Sequence, residues 1–315
     1  MNKEIGGYFE LDTFKLPMLH DNGLKLNCGR NALAYLIEAN DIKRLCIPYF
    51  MCDSVINTCN KYDVEIIRYH INYDFTPILN KIDTNEWIYV VNYYGQLDDE
   101  IQELIKKYNN IIVDNAQSYF SKPIDNINTL YTCRKYFGVS DGAILFTNNM
   151  INRKLEIDYS YDRIRFVLGR YEASASDFFR LASDNNEIFD KEDIKKMSKL
   201  TNNLLHAIDY DYIRDKRTEN YNYLNLNLSQ LNKLKLKKVE GAYMYPFYAD
   251  KAQLIKKKMI ENKVYIPTLW PNVMDEVEEE TLEYKFSKNI LPLPCDQRYK
   301  KSDMDIIIKI IKENI

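Results

Sequence analysis

A chain of 315 residues, 46% hydrophobic and 28% charged, can bury a large core and divide into one large and one smaller domain. Its formal charge of −3 leaves no basic footprint for nucleic acid or an anionic membrane, and the lysines between Lys233 and Lys238 read as a solvated face. No run approaches the ~18 apolar residues of a membrane span, MNKEIGGYFELD lacks the apolar core of a leader, and the six cysteines have neither CxxC spacing nor histidine partners. A cytoplasmic protein with reduced thiols, no membrane insertion, no nucleic-acid partner and no metal site is expected.

The first half alternates helical and strand patterns. Asn31–Ala39 carries one apolar stripe (Ala32, Leu33, Leu36, Ile37) and predicts a helix, followed by a short buried strand at Arg44–Pro48. A helix over Cys52–Lys61, strands at Val64–Tyr69 and Glu86–Tyr93, and an amphipathic helix at Asp98–Lys107 come next. The strands Asn110–Asp114 and Gly142–Thr147 complete the series. This rhythm indicates parallel βαβ units.

Residues 150–235 are charged and helical in period, with Ser198–Tyr212 as a connecting helix. Beyond them, a strand is expected around Tyr243–Tyr248, a helix at Ala249–Asn262, a strand at Val264–Pro267 and an acidic loop over Asp275–Glu280. A terminal helix should begin near Asp303, capped by Ser302 with Asp305 completing the box. The fold class is therefore α/β. A large domain over 1–235, with a mostly parallel sheet flanked by helices and including the helical connection, precedes a small C-terminal α+β domain over 236–315.

In open parallel sheets ligands bind beyond the carboxyl ends of the strands, and the chemistry-bearing residues fall there. Asp114 ends the strand NIIVD, and Lys135 lies in the next segment, before the small-residue turn at Asp141-Gly142. An acid that keeps a pyridine nitrogen protonated, and a lysine that carries the cofactor as a Schiff base, are the two ends by which a protein holds pyridoxal 5′-phosphate (PLP). Taken singly, Asp114 also reads as a turn acid and Lys135 as a surface lysine. Tyr136 and Phe137 beside the lysine would supply the desolvation that makes an amine nucleophilic. Gln117 could reach the 3-hydroxyl of the same ring. Cys28-Gly29-Arg30-Asn31 stands at a helix N-terminus, where backbone N–H groups suit a phosphate.

These segments, CGRNAL, IPYF, NYYGQ, VDNAQ and RKYFGVSDGA, occur in an order and spacing that resemble the DegT/DnrJ-type sugar aminotransferases, which are fold type I PLP enzymes with an aspartate-aminotransferase-like fold. The corresponding family patterns are SGTxAL, a VPSxT-like strand end, HLYGQ, EDxAQ and TKNLxxxGDGGA; Met197-Ser198-Lys199-Leu200 stands where the family has RMSEL. The likeness is best over residues 20–150. KVYIPTLW and LPLPCDQRY look like the C-terminal signature of a short branch.

The resemblance implies that Lys135 is the catalytic lysine, that Asp114 pairs with the pyridinium, that Gln117 contacts the 3-hydroxyl, and that Gly29, Arg30 and Asn31 bind the phosphate. It implies transfer of an amino group, usually from glutamate, to a keto group of a nucleotide-linked sugar, by a homodimer with the active site at the subunit interface.

The chain departs from the pattern at several places, and the loop between Asp114 and Lys135 is shorter than the family norm. Leu130 stands where the family has a phosphate-binding hydroxyl, so Thr132 or Thr129 must substitute. Cys52 stands where a ring stacks on the cofactor, leaving Phe50 as a candidate. Lys195-Lys196 replaces a group contributed by the partner subunit. Arg217, Trp270, Arg298 and Tyr299 are candidate substrate contacts, with packing as the other reading of Trp270 and surface pairing that of the arginines. The alternatives are a member that has lost chemistry and serves as a binding or assembly partner, or a PLP enzyme of another reaction type; in dehydrating relatives a histidine replaces the lysine.

Overall fold

The apolar runs of the first half stack into one sheet in the computed structural model, which describes residues 5–315. The first four residues, part of the amino-terminal stretch read for a leader, lie outside the described residues. The strands are β1 (Leu24–Leu26), β2 (Arg44–Pro48), β3 (Glu65–Tyr69), β4 (Trp87–Val91), β5 (Asn110–Asp114), β6 (Asn128–Thr132) and β7 (Ala143–Phe146). Their order across the sheet is β1-β7-β6-β5-β4-β2-β3. β7 runs antiparallel to both neighbours, and the other six strands are parallel. The last four residues of β2, β4 and β5 are buried, as expected of strands covered on both faces.

Helices α1 (Gly29–Ala39), α2 (Asp53–Lys61) and α3 (Asp98–Lys107) are the crossovers. Because the strands are parallel, β1, β2, β4, β5 and β6 all end on one edge of the sheet. The segments after them, 27–31, 49–52, 92–96, 115–118 and 133–135, are therefore gathered there.

The connecting region holds α4 (Arg165–Glu172), α5 (Phe179–Lys191), α6 (Lys199–Leu205) and α7 (Tyr210–Leu228). The single helix expected over Ser198–Tyr212 is two. It breaks at His206, and the Asp209 side chain caps α7 by accepting from the Tyr212 N–H (3.0 Å). The C-terminal part contains β8 (Tyr245–Tyr248), α8 (Ala252–Glu261), α9 (Val273–Glu276), α10 (Leu282–Asn289), β9 (Ile290–Leu293) and α11 (Lys301–Asn314). β8 pairs antiparallel with β9. Leu224 and Leu228 of α7 pack in one apolar cluster with Ile255 and Met259 of α8 and Ile307 and Ile311 of α11.

Several sequence expectations are corrected here. Val264–Pro267 forms no strand: the Val264 N–H turns back to the Met259 carbonyl (2.8 Å) to close α8, and Pro267 has no N–H to offer a ladder. The acidic loop begins as α9, with Glu276 paired to Arg68. α11 starts before Ser302: the Asp303 carboxylate accepts from the Lys300 N–H (2.7 Å), and Asp305 instead accepts from the Tyr223 hydroxyl (2.6 Å). Among the described residues, no helix is long and apolar enough to cross a membrane.

Candidate active site

Asp114 is the last residue of β5, and its carboxylate is buried with two donors. The Tyr89 hydroxyl donates to Oδ2 (2.9 Å) and the Ala116 N–H to Oδ1 (2.7 Å). Burial holds this carboxyl above the usual carboxylate range, an effect partly offset by the positive charge of Lys135 and by the two donors. Tyr89, one strand over on β4, was not singled out in the sequence because a tyrosine in WIYVV reads as core. Its role shows only when β4 and β5 pair.

Gln117 is 1% exposed. Its Oε1 accepts from the Tyr94 N–H (3.0 Å), while its Nε2 is buried with no partner among the described residues. A buried amide nitrogen left unpaired is expensive, and a ligand oxygen at this edge would satisfy it. The Tyr94 hydroxyl is likewise buried and unpaired. The NYYGQ turn needs its glycine: Gly95 has φ +73, and a Cβ there would lie 2.9 Å from Val239 and 3.0 Å from the Ser118 hydroxyl.

The first turn of α1 faces the end of β6: a Cβ built on Gly29 would lie 3.9 Å from Thr132, so the backbone of Gly29 and the Thr132 side chain bound one cradle. Thr129, by contrast, is fully buried and donates to the Ile127 carbonyl, and Leu130 is core. Asn31 turns its amide away, donating to Asn27 Oδ1 (2.9 Å) and the Asp193 carbonyl (2.7 Å). Arg30 is paired with Asp190 (3.0 Å) and donates to the Asn186 carbonyl (2.8 Å). What these two residues offer the cradle is backbone N–H and charge rather than side-chain contact.

Lys135 ends the 3-10 turn Cys133–Lys135 that follows β6. The expected desolvation by its aromatic neighbours is corrected: Tyr136 and Phe137 turn inward and pack around Tyr119, while the Lys135 side chain is exposed, with Nζ 5.5 Å from the Tyr243 ring centroid. The turn is held from below. The Tyr136 carbonyl accepts from Arg217 Nη2 (3.2 Å) and Gln297 Nε2 (2.9 Å), and Arg217 Nη1 also donates to the Ala242 carbonyl (2.9 Å).

Arg217 is 2% exposed, so it braces the lysine turn and cannot reach a substrate. Arg298 is spent on a bidentate pair with Asp296 (2.7 and 2.8 Å), which supports the loop carrying Gln297. Trp270 packs edge-on against Phe50 (5.0 Å).

Phe50 is fully buried among Tyr93, Trp270 and Phe286, so it is not free to stack on a ligand. Cys52 is the half-buried N-cap residue of α2, with Sγ 3.0 Å from the Ser54 hydroxyl. Every cysteine is a free thiol, and Cys52 alone among the six is not buried. Lys195 and Lys196 lie in a backbone segment beside β1: the Lys195 carbonyl accepts from Asn27 and the Lys25 carbonyl from Met197. Asp141 is fully buried and accepts from the Ser198 N–H (2.8 Å) and hydroxyl (2.7 Å) and from the Thr201 hydroxyl, which ties the MSKL segment to the Asp141-Gly142 turn.

The residues present fit PLP: a buried acid, an unpaired amide donor, a backbone cradle at a helix N-terminus and a lysine meet on one edge. Comparison with solved structures finds the same fold in several proteins described as sugar aminotransferases. Over 92% of this chain and 84% of the other, it superposes on DesV of S. venezuelae, solved in complex with a ketimine intermediate, with TM-score 0.66 and 13% identity. It covers 92% of itself and 85% of a DegT DnrJ EryC1 StrS aminotransferase from Brucella abortus (TM-score 0.60, 15% identity). Likewise 93% of the chain matches 87% of Spr1654 from Streptococcus pneumoniae in its PLP-form (TM-score 0.63, 10% identity). No family model and no curated protein sequence matches the chain.

Proposed function

We propose that the chain is a PLP-dependent aminotransferase moving an amino group from glutamate to a keto group of a nucleotide-linked sugar or similar small phosphorylated ketone, for cell-surface glycan synthesis. The observation that carries this reading is the meeting of buried Asp114, the unpaired Gln117 amide and Lys135 at the carboxyl edge of the sheet. Bound PLP supplies an electron sink for the substrate α-carbon.

The protein's own groups do the rest. Asp114 holds a proton at the ring nitrogen, with Tyr89 fixing the carboxylate. Gln117 Nε2 donates to the ring hydroxyl. The first turn of α1 and Thr132 seat the phosphate, and Lys135 Nζ anchors the cofactor and carries the proton that moves during transfer.

A homodimer is part of this reading. Leu168, Tyr171 and Phe179, on α4 and α5, are 54, 92 and 73% exposed, which supports a subunit contact in this region. The purified protein with added PLP should be yellow, absorbing at about 420 nm, and Lys135→Ala should lack the band. A colourless wild type that takes up no PLP would sink the proposal. A non-catalytic binding role is the second reading, favoured by the lack of a free ring at Cys52 and Phe50. It predicts PLP uptake without any response to an amino donor.

A further inference from the structure

Arg134, immediately before Lys135, has no carboxylate partner among the described residues. Its guanidinium lies 4.8 Å from the Phe189 ring centroid and donates to Asn186 Oδ1 (3.3 Å). Arg30, in the first turn of α1, donates to the same oxygen (3.2 Å). Two guanidinium groups thus converge on one neutral acceptor. A third, Arg163, lies 5.1 Å from the same Phe189 ring, with Nη1 buried and unpaired.

Arg30 has Asp190 (3.0 Å) and Arg163 has Asp158 (2.7 Å), which leaves Arg134 as the one of the three without an ion pair among the described residues. Burial, chiefly, together with Arg30 and Arg163 pushes its pKa down to about 10 in spite of the opposing influence of Cys28 and Asp141, a sign that the charge is held at some expense. A protein relieves such a cluster with an anion, and an anion seat is close by: Cys28, the N-cap residue of α1, lies within electrostatic range of Arg134. Arg134 is two residues beyond Thr132, whose side chain bounds the Gly29 cradle at the α1 N-terminus.

We propose that Arg134, positioned by Asn186 and Phe189 of α5, is the cationic ligand of a phosphate monoester dianion seated on the first turn of α1. Leu130, apolar and buried in β6, offers no polar group there. That the phosphate belongs to PLP rests on the cofactor reading above; that the site takes a phosphate does not.

The test compares wild type and Arg134→Gln, each titrated with PLP and with pyridoxal, which lacks the phosphate, and each melted with and without millimolar inorganic phosphate. Arg134→Gln is expected to weaken PLP at least about tenfold and pyridoxal less than about twofold, because a charged phosphate contact is lost and the lysine is kept. Inorganic phosphate should raise the melting temperature of the apo wild type and not that of the variant. Equal losses for PLP and pyridoxal, no loss for either, or no phosphate-dependent difference in melting would overturn the proposal.

If the wild type takes up neither PLP nor pyridoxal, the cofactor reading fails, and the phosphate melting comparison still decides the anion site. Should Arg134→Gln not fold, Asn186→Ala carries the same comparison. It frees the guanidinium without removing it, and it should weaken PLP about threefold while leaving pyridoxal unchanged.

Discussion

At the residue scale, the site is built on side chains held at a disadvantage when no ligand is bound. The folded-state pKa of Asp114 lies above the usual value of 3.8, so the folded protein binds that proton more tightly than the unfolded chain does. The sign follows: the penalty is absent below about pH 3.8, grows as pH rises through the folded pKa, and is fully present at neutral pH. Asp114→Asn should therefore raise the melting temperature of the apoprotein at pH 7 while impairing PLP function. The gain should vanish near pH 3.5, and a variant less stable than wild type at pH 7 would contradict this.

Cys52 gives a second handle. Burial pushes Cys28 and Cys46 up to about 11 and Cys59, Cys133 and Cys295 up to about 12, whereas Cys52 is half exposed at the α2 N-terminus. One fast thiol is expected at pH 8 in native protein, and bound PLP should slow it if Cys52 lies against the ring. Several fast thiols, or a rate indifferent to PLP, would count against that placement.

At the scale of elements, the Asp141-Gly142 turn and α6 are joined by one buried carboxylate. Asp141 accepts from the Ser198 N–H and from the Ser198 and Thr201 hydroxyls, and Ser198 caps α6 through the Thr201 N–H (3.0 Å). Asp141→Asn leaves buried donors short of acceptors and should cost about 2–4 kcal/mol in urea unfolding, with little change in slope. A loss under 1 kcal/mol would mean the network is dispensable.

The same scale shows what could be read in advance. β2, β4 and β5 were legible because they are short apolar runs bounded by polar residues. β1 and β6 were not, since LKL is only three residues long and NTLYT mixes polar and apolar positions, and both become strands by pairing with β7. β9 was hidden by Pro292, which a two-stranded sheet tolerates. VYIP had the pattern of a strand and found no ladder.

At the scale of the whole molecule, the parallel sheet delivers five loops to one edge, and this is why a set of separately weak residues makes up the proposed site. Asp114, Gln117, Gly29 and Lys135 could be nominated from the sequence because each stands in a local motif, and the fold brings their segments to that edge. Tyr89, Arg217, Gln297 and Arg134 were not, because their contacts span from 25 to 161 positions of the chain and no local spacing marks them. The second half thus serves the first: Arg217 of α7 and Gln297 of the C-terminal loop both donate to the carbonyl beside Lys135.

The central claim is that this edge moves an amino group. The direct measurement is the absorbance of the PLP-loaded wild type before and after addition of glutamate alone. A shift of the band from about 420 nm toward about 330 nm, without turnover of any acceptor, is the predicted result. A protein that holds PLP through Lys135 but keeps its spectrum unchanged with glutamate and with other amino donors would contradict it.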